Sequence, residues 1–212
     1  MIDGLSNRGP GVACNGADGA AEQSELPHQR ADARRNRAQI LQAAETCFAE
    51  QGVGVPIDDI ARAAGVGVGT IYRHFPTKEA LLEAVIVTHM EKLTAEAMDL
   101  ATSDDPGAAF FMFLARLAEE GSSKRDLIDA LGGAGIEVKE RTSPQKAELS
   151  QAIGVLLQRA QIAGDVRSDV ELADLFGLVM GACAFAAHGE SGSSQSRMLS
   201  VVCDGLRVAG SQ

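Results

Sequence analysis

The chain has 212 residues, of which 45% are hydrophobic and 4% are aromatic, and its formal net charge is −10. This length and composition allow one or two domains with a buried core and exclude a wholly disordered or fibrous protein. The longest run of apolar residues and glycine, 175–187, is shorter than the roughly 20 residues of a membrane span, so it predicts a buried helix. The acidity is uneven, because residues 30–80 carry seven Lys or Arg against six Asp or Glu, whereas residues 81–212 have a net charge of −8. An acidic protein with one local basic edge can still bind a polyanion through that edge.

The predicted elements are a tail followed by helices. Residues 1–32 are rich in Gly, Ala, Ser, Asn and Pro without an apolar period, and we expect them to be disordered. From Ala33 onward the apolar residues recur at helical spacing, and the breaks fall at Gly and Pro. We therefore expect an all-α protein of about nine helices. The expected helices span about 33–51, 57–64, 70–75, 78–100, 110–119, 126–131, 144–163, 169–187 and 198–206, with a polar loop at 189–196.

Two short predicted helices, joined by a tight turn at Gly65, follow a helix with a basic start. This is the pattern of a helix-turn-helix, which places its second helix in the major groove of DNA. Ile71 and Phe75 lie four residues apart and would pack this second helix from behind. Its polar side chains would then face outward, and its glycines would allow close approach to phosphate. The candidate DNA-contacting residues are Arg34, Arg35, Arg37, Gly67, Gly69, Thr70, Tyr72, Arg73, His74 and Lys78.

Residues 57–82 read IDDIARAAGVGVGTIYRHFPTKEALL, and this stretch resembles the DNA-binding domain of the TetR family of transcriptional regulators. The segment GTIYRHFPTKEALL, residues 69–82, is highly specific to that family, and the resemblance covers roughly residues 33–88. It implies an all-α homodimer with a DNA-binding domain at 33–80, its motif at about 56–75, and a ligand-binding and dimerisation domain at 81–212. It also implies that Tyr72, His74 and Lys78 contact phosphates and that residues near Val68, Gly69, Thr70 and Arg73 face base edges.

The chain departs from the family pattern in two places. Where the family often has Ser or Thr, this chain has Val55 and Pro56, and where the family often has Ser, it has Gly67. Glycine caps a helix nearly as well as serine but offers no hydroxyl group. The departures therefore bear on individual phosphate contacts and not on the mode of binding.

Apolar residues after position 88 form a predicted core, and some of them are expected to line a ligand cavity. Met and Phe suit adaptable apolar pockets between helices. A lone histidine on an apolar helix, such as His89 or His188, is more often a structural residue. The candidate pocket residues are His89, Met90, Leu93, Phe110, Phe113, Leu114, Leu117, Leu127, Ile153, Leu157, Phe176 and Met180.

The predicted helix that contains residues 175–187 is apolar over most of its surface. Its small residues would permit close approach of another helix, and a two-fold copy of the chain is the simplest cover. The alternative is a central helix enclosed by its own domain. The candidate interface residues are Leu178, Gly181, Ala182, Phe185, Ala186, Val201, Val202 and Gly205.

These features predict a ligand-responsive regulator, most simply a repressor that a small apolar or amphipathic molecule releases from a palindromic operator. The alternative is a helical ligand-binding or protein-interaction module that no longer binds DNA, which the charge of −10 and the missing hydroxyl groups favour. No acid–base pair or nucleophile arrangement suggests an enzyme, and we expect no cofactor. The four cysteines show no metal-ligand spacing, so no metal is expected either. The start of the chain lacks a secretory pattern, so a cytoplasmic, non-membrane protein is expected.

Overall fold

The computed structural model describes residues 27–123, 142–186 and 192–208, which form eight α-helices. They are α1 (Pro27–Gln51), α2 (Ile57–Ala64), α3 (Val68–His74), α4 (Lys78–Leu100), α5 (Pro106–Ser123), α6 (Ser143–Ala163), α7 (Leu172–Ala186) and α8 (Gly192–Leu206). Across these three segments, β-type pairing is limited to an isolated antiparallel bridge between Val166 and Arg207. The expected all-α class is confirmed, while the helix expected at 126–131 lies outside the described residues.

Five helix starts differ from the sequence expectation, including α3, which begins at Val68 and not at residue 70, and α5, which begins at Pro106 and not at residue 110. Helix α1 begins at Pro27, so residues 27–32 are helical and the expected tail is too long. This part has proline at the first position and then neither Gly, Pro nor a β-branched residue, but it has no apolar stripe that would reveal the helix. Helix α7 begins at Leu172 rather than at Asp169, and the Asp174 carboxylate accepts a hydrogen bond from the N–H of Glu171 at 2.9 Å. Helix α8 begins inside the expected loop, at Gly192, because Ser and Gln are compatible with a first helical turn.

The helices bury two apolar cores. The first, here called the head, is formed by α1, α2, α3 and the start of α4, with Phe48, Ile60 and Ile71 among its fully buried side chains. The second, here called the body, is formed by the end of α4 with α5 to α8 and includes Phe113 and Leu156. Helix α4 contributes to both cores and therefore connects them as one rigid element. None of the helices in the described segments is long and apolar enough to cross a membrane.

Candidate DNA-binding surface

The turn between α2 and α3 is fixed by a glycine in the left-handed region. Gly65 has φ of 67°, and its N–H donates to the carbonyl of Arg62 at 3.2 Å. The N–H of Val66 donates to the carbonyl of Ala61 at 3.0 Å, which completes a helix-ending motif that requires this conformation. The chain therefore turns abruptly at Gly65 and starts α3 three residues later, as the helix-turn-helix pattern predicts.

Helix α3 is held against the head by its apolar side. Ile71 is 1% exposed and Phe75 is 3% exposed, so both expected packing residues are buried. Each such side chain contributes on the order of 1.5–3 kcal/mol when it leaves water. The guanidinium carbon of Arg37 on α1 lies 5.1 Å from the centroid of the Phe75 ring, which adds a cation–π contact between α1 and the end of α3. The packing of these side chains therefore fixes the orientation of this short helix.

The opposite side of α3 is open. Tyr72 is 47% exposed, Arg73 is exposed, and Thr70 and His74 are half-buried. Gly67 and Gly69 are exposed, and no atom lies within 4 Å of a Cβ placed on either of them. A phenol, a guanidinium group, a hydroxyl group and an imidazole therefore surround bare backbone at the start of a helix, as base and phosphate contacts require.

Val68 does not share this open side. Its side chain is half-buried and packs against the head core. The reason is helical spacing, because Val68 lies three residues before Ile71 on the same face. The expected base contact at this position is therefore limited to the backbone and the part of the side chain that remains exposed.

Basic residues of α1 and α4 flank α3. Arg34, Arg35 and Arg37 are all exposed, and Arg34 lies one turn before Arg37 on the same side of α1. The Nη1 atom of Arg35 lies 3.7 Å from the Asp32 carboxylate, so its charge is partly compensated. Of these three arginines, Arg37 lies beside the end of α3, because its guanidinium group contacts the Phe75 ring.

Lys78 is the first residue of α4 and is half-buried. Thr77 caps this helix, because its Oγ1 accepts a hydrogen bond from the N–H of Ala80 at 3.1 Å. By contrast, Pro56 and Gly67 give α2 and α3 no side-chain cap. The N–H of Thr70 donates to the carbonyl of Gly67 at 2.8 Å, so no capping hydroxyl covers the start of α3 and the N–H groups that an anion could meet are those of Val68 and Gly69.

The body contains an apolar cavity of about 80 Å³ between α5, α6 and α7. Six of the expected pocket residues line it together with Leu149, Leu175 and Val179. These six are Phe110, Phe113, Leu114, Leu117, Ile153 and Phe176. Small-molecule sites usually measure roughly 300–1,000 Å³, so the cavity would have to widen before it could hold a typical ligand.

The other expected pocket residues do not line this cavity. His89 lies beside α1, Met90 packs against the head core, and Leu93 and Leu157 are buried in the body core. Helix α4 crosses from one core to the other, so Met90 meets the head core, whereas His89 and Leu93 line a separate cleft beside α1 and α5. Leu127 lies outside the described residues, as does the side chain of Met180.

Helices α7 and α8 present an exposed apolar surface, here called the α7–α8 face. Phe176 is 38% exposed and Leu178 is 37% exposed on α7, and Val201 is 70% exposed on α8. Gly181 and Gly205 are exposed as well, whereas Val202 packs partly against the body core. Helix α7 is therefore not enclosed by the part of the chain that the structure describes. The side chains of the candidate interface residues Ala182, Phe185 and Ala186 lie outside the described residues.

One buried polar cluster was not expected. The Glu45 carboxylate of α1 is buried, and it lies 3.0 Å from Nζ of Lys92 and 3.4 Å from Nδ1 of His89, both on α4. The sequence signal for this contact is an acidic residue on the apolar stripe of α1, four residues after Leu41 and three before Phe48. The cluster ties the head to α4.

The described cysteines do not form a reactive site. Burial raises the pKa of the Cys47 thiol, and the charges of Glu50 and Asp59 raise it further. Burial also raises the pKa of the Cys203 thiol, and the positive charge of the nearby Arg207 lowers this pKa in part. Both thiols are free, and within the described segments no group of three or more His, Cys, Asp or Glu side chains could hold a metal ion.

Comparison with known proteins agrees with this architecture in both halves of the chain. Residues 40–85 match the sequence model of the bacterial regulatory proteins of the tetR family. Residues 105–208 match the C-terminal domain of SbtR-like transcriptional regulators.

Individual proteins show the same similarity. A crystal structure of a TetR transcription regulatory protein from Mycobacterium vanbaalenii is 39% identical, with a TM-score of 0.69, over 85% of this chain and 99% of that one. The repressor BepR of Brucella suis is 27% identical over 84% of this chain and 95% of its own length. An HTH-type transcriptional regulator of Staphylococcus aureus is 37% identical over 34% of this chain, and this match spans 39% of that protein.

Proposed function

The chain belongs to the TetR family of transcriptional regulators, and we propose that it is a repressor that leaves its operator when a small molecule binds. The observation that carries this proposal is the construction of α3, which is packed rigidly from behind and exposes Tyr72, Arg73 and open glycine backbone in front. The name of the similar protein BepR, a transcriptional repressor, supports the sign of regulation. The place of action would be the cytoplasm, where the operator lies.

In this proposal α3 enters the major groove and the flanking residues hold the backbone. Arg73 is assigned to base edges, since guanidinium groups bind guanine in a bidentate manner. Tyr72, His74 and Lys78, together with the arginines of α1, are assigned to phosphates, which position the protein without reading sequence.

The repressor would act as a homodimer, which is the form that proteins of this family take. The α7–α8 face supports this assembly, because it exposes Leu178 and Val201 beside small residues that allow helices to approach closely. Two heads related by a two-fold axis would read half-sites of a pseudo-palindrome roughly 34 Å apart or a near multiple of that distance.

Release from DNA would proceed through α4. This helix has Leu81 and Val85 in the head core and Leu93 and Ala97 in the body core, so a change in the body alters the position of the head. An inducer can shift the balance only by the difference between its affinities for the two arrangements. An apolar molecule that widens the cavity beside Phe113 would favour the arrangement in which that space is larger.

The experiment that tests DNA binding is selection of genomic fragments by the purified full-length protein. The selected duplex should be bound by wild type, and Arg73→Ala should weaken binding and relax the preference at one base pair, by about 1–3 kcal/mol. Lys78→Ala should weaken binding to all sequences and reduce the slope of log K against log salt by about 1. Lys146→Ala, which removes an exposed charge at the start of α6, is the matched control. Failure to bind any duplex at low ionic strength would refute the proposal.

A further inference from the structure

A cleft of about 390 Å³ opens where α1 of the head meets α4 and α5 of the body. It is separate from the apolar cavity, and it is large enough for a small molecule without rearrangement. The buried side chain of Leu93 contributes to its lining, and most of the other lining side chains are polar or charged. The cleft is therefore an open polar site at the junction between head and body.

The charges of this cleft are unequal. Three carboxylates line the cleft, those of Glu45, Glu50 and Glu96. Only two permanent cations line it, Lys92 and Arg116. Glu45 accepts a hydrogen bond from Lys92 at 3.0 Å, and Nε of Arg116 lies 3.8 Å from Glu96. Outside the cluster of Glu45, Lys92 and His89, the lining has two carboxylates, Glu50 and Glu96, and one cation, Arg116, inside a protein of charge −10. Both the local and the long-range potential therefore favour a cation.

We propose that this cleft binds a small organic cation with a primary amine or guanidinium group. Glu50 is the primary anchor, because it is exposed and no ion pair joins it to a cation among the described residues. Glu96 is the second, since its contact with Arg116 is long and its side chain is 40% exposed. An anion would face three carboxylates, and a wholly apolar molecule would strip water from charged groups without replacing their hydrogen bonds.

A cation in this position would join two parts of the molecule. Glu50 lies on α1, which belongs to the head, whereas Glu96 lies in the part of α4 that packs in the body. Binding would therefore stabilise one relative position of α1 and α4 over others. Any effect of the cation on DNA affinity rests on the proposed function, but binding itself does not.

The test is calorimetric titration of the full-length protein with putrescine and with agmatine at low ionic strength. We expect one equivalent per protomer, with a dissociation constant of about 1 mM or below. Glu50→Gln should weaken binding by about fivefold or more, since it removes the charge from a charge-assisted hydrogen bond. Glu148→Gln is the matched control, because Glu148 is exposed on α6 and lines a separate groove, and it should bind as wild type does. Thermal melting of each variant without ligand checks that the fold is intact.

Three results would overturn the assignment. These are no binding of either amine, equal binding by wild type and Glu50→Gln, or binding of succinate as tight as that of putrescine. Titration needs no DNA, so a protein that binds putrescine but no duplex would refute the proposed function alone. A protein that binds duplex but neither amine would refute only the cation site.

Discussion

Replacement of Gly69 by alanine should strengthen the fold and weaken DNA binding at the same time. Gly69 is the second residue of α3, its φ is not in the left-handed region, and no atom lies within 4 Å of the added Cβ. Alanine is preferred over glycine in a helix by roughly 0.5–1 kcal/mol. Because the first turn is less demanding than the interior, we expect a gain of about 0.5 kcal/mol in the free energy of unfolding.

The same methyl group would project from the exposed side of α3. If the backbone at Gly69 approaches DNA closely, the methyl group must displace either the helix or the duplex from its best position. Loss of one well-formed contact is worth at least about 1.4 kcal/mol, which corresponds to a tenfold weaker complex. Urea unfolding would measure stability, and fluorescence anisotropy with a selected genomic duplex would measure affinity.

Gly154→Ala provides the matched control. Gly154 lies inside α6, and its added Cβ would be 4.0 Å from a Leu172 methyl group, which is ordinary contact. This variant should also gain stability but should bind DNA as wild type does. If Gly69→Ala binds the duplex as tightly as wild type, the start of α3 does not approach DNA closely. A loss of stability in Gly69→Ala would instead show that the site is not open.

Three further changes test packing and assembly. Ile71→Ala should lower the free energy of unfolding by about 2–5 kcal/mol in urea, since it leaves a cavity behind α3, and an unchanged midpoint would contradict the packing role. Gly107→Ala should lower the melting temperature, because the new Cβ would lie 2.5 Å from Cγ of Asp165, whereas Gly154→Ala, whose Cβ makes only an ordinary contact at 4.0 Å, should not. Equal melting of the two would refute this contact. Leu178→Asp should give monomers in sedimentation equilibrium, because it places a charge on the α7–α8 face, and a stable dimer would argue against that interface.

The helix-turn-helix could be predicted because its determinants are local. The left-handed turn at Gly65, the cap at Thr77 and the pair Ile71 and Phe75 each depend on neighbours within a few residues. The start of α1 depends on local propensity as well, but the exposed residues after Pro27 carry no apolar stripe, so apolar periodicity could not detect them. Periodicity finds the helices that bury a face and misses exposed extensions.

The ligand region shows what this reasoning leaves open. The spacing of Met90 and Leu93 correctly indicates apolar positions on α4, but it does not say which partner each position meets. Met90 belongs to the head and Leu93 to the body, although they are three residues apart, because α4 passes from one core to the other between them. The pocket assignment therefore stays a prediction: Phe110 and Phe113 on α5 line the apolar cavity, whereas Leu93 on α4 lines the separate cleft beside α1 and α5.

The net charge of −10 is only a weak argument against DNA binding, because the positions of the charges matter more than their sum. The Glu45 carboxylate is compensated internally by Lys92, and Asp59 pairs with Arg62 at 2.7 Å. Most of the remaining excess lies in residues 81–212. At 1.5 Å per residue, α4 places Leu93 about 22 Å from Lys78, which is more than two Debye lengths of roughly 10 Å in 0.1 M salt. Screening therefore weakens the effect of body carboxylates beyond Leu93, and the potential at α3 depends mainly on the charges of the head, which are seven Lys or Arg against six Asp or Glu in residues 30–80.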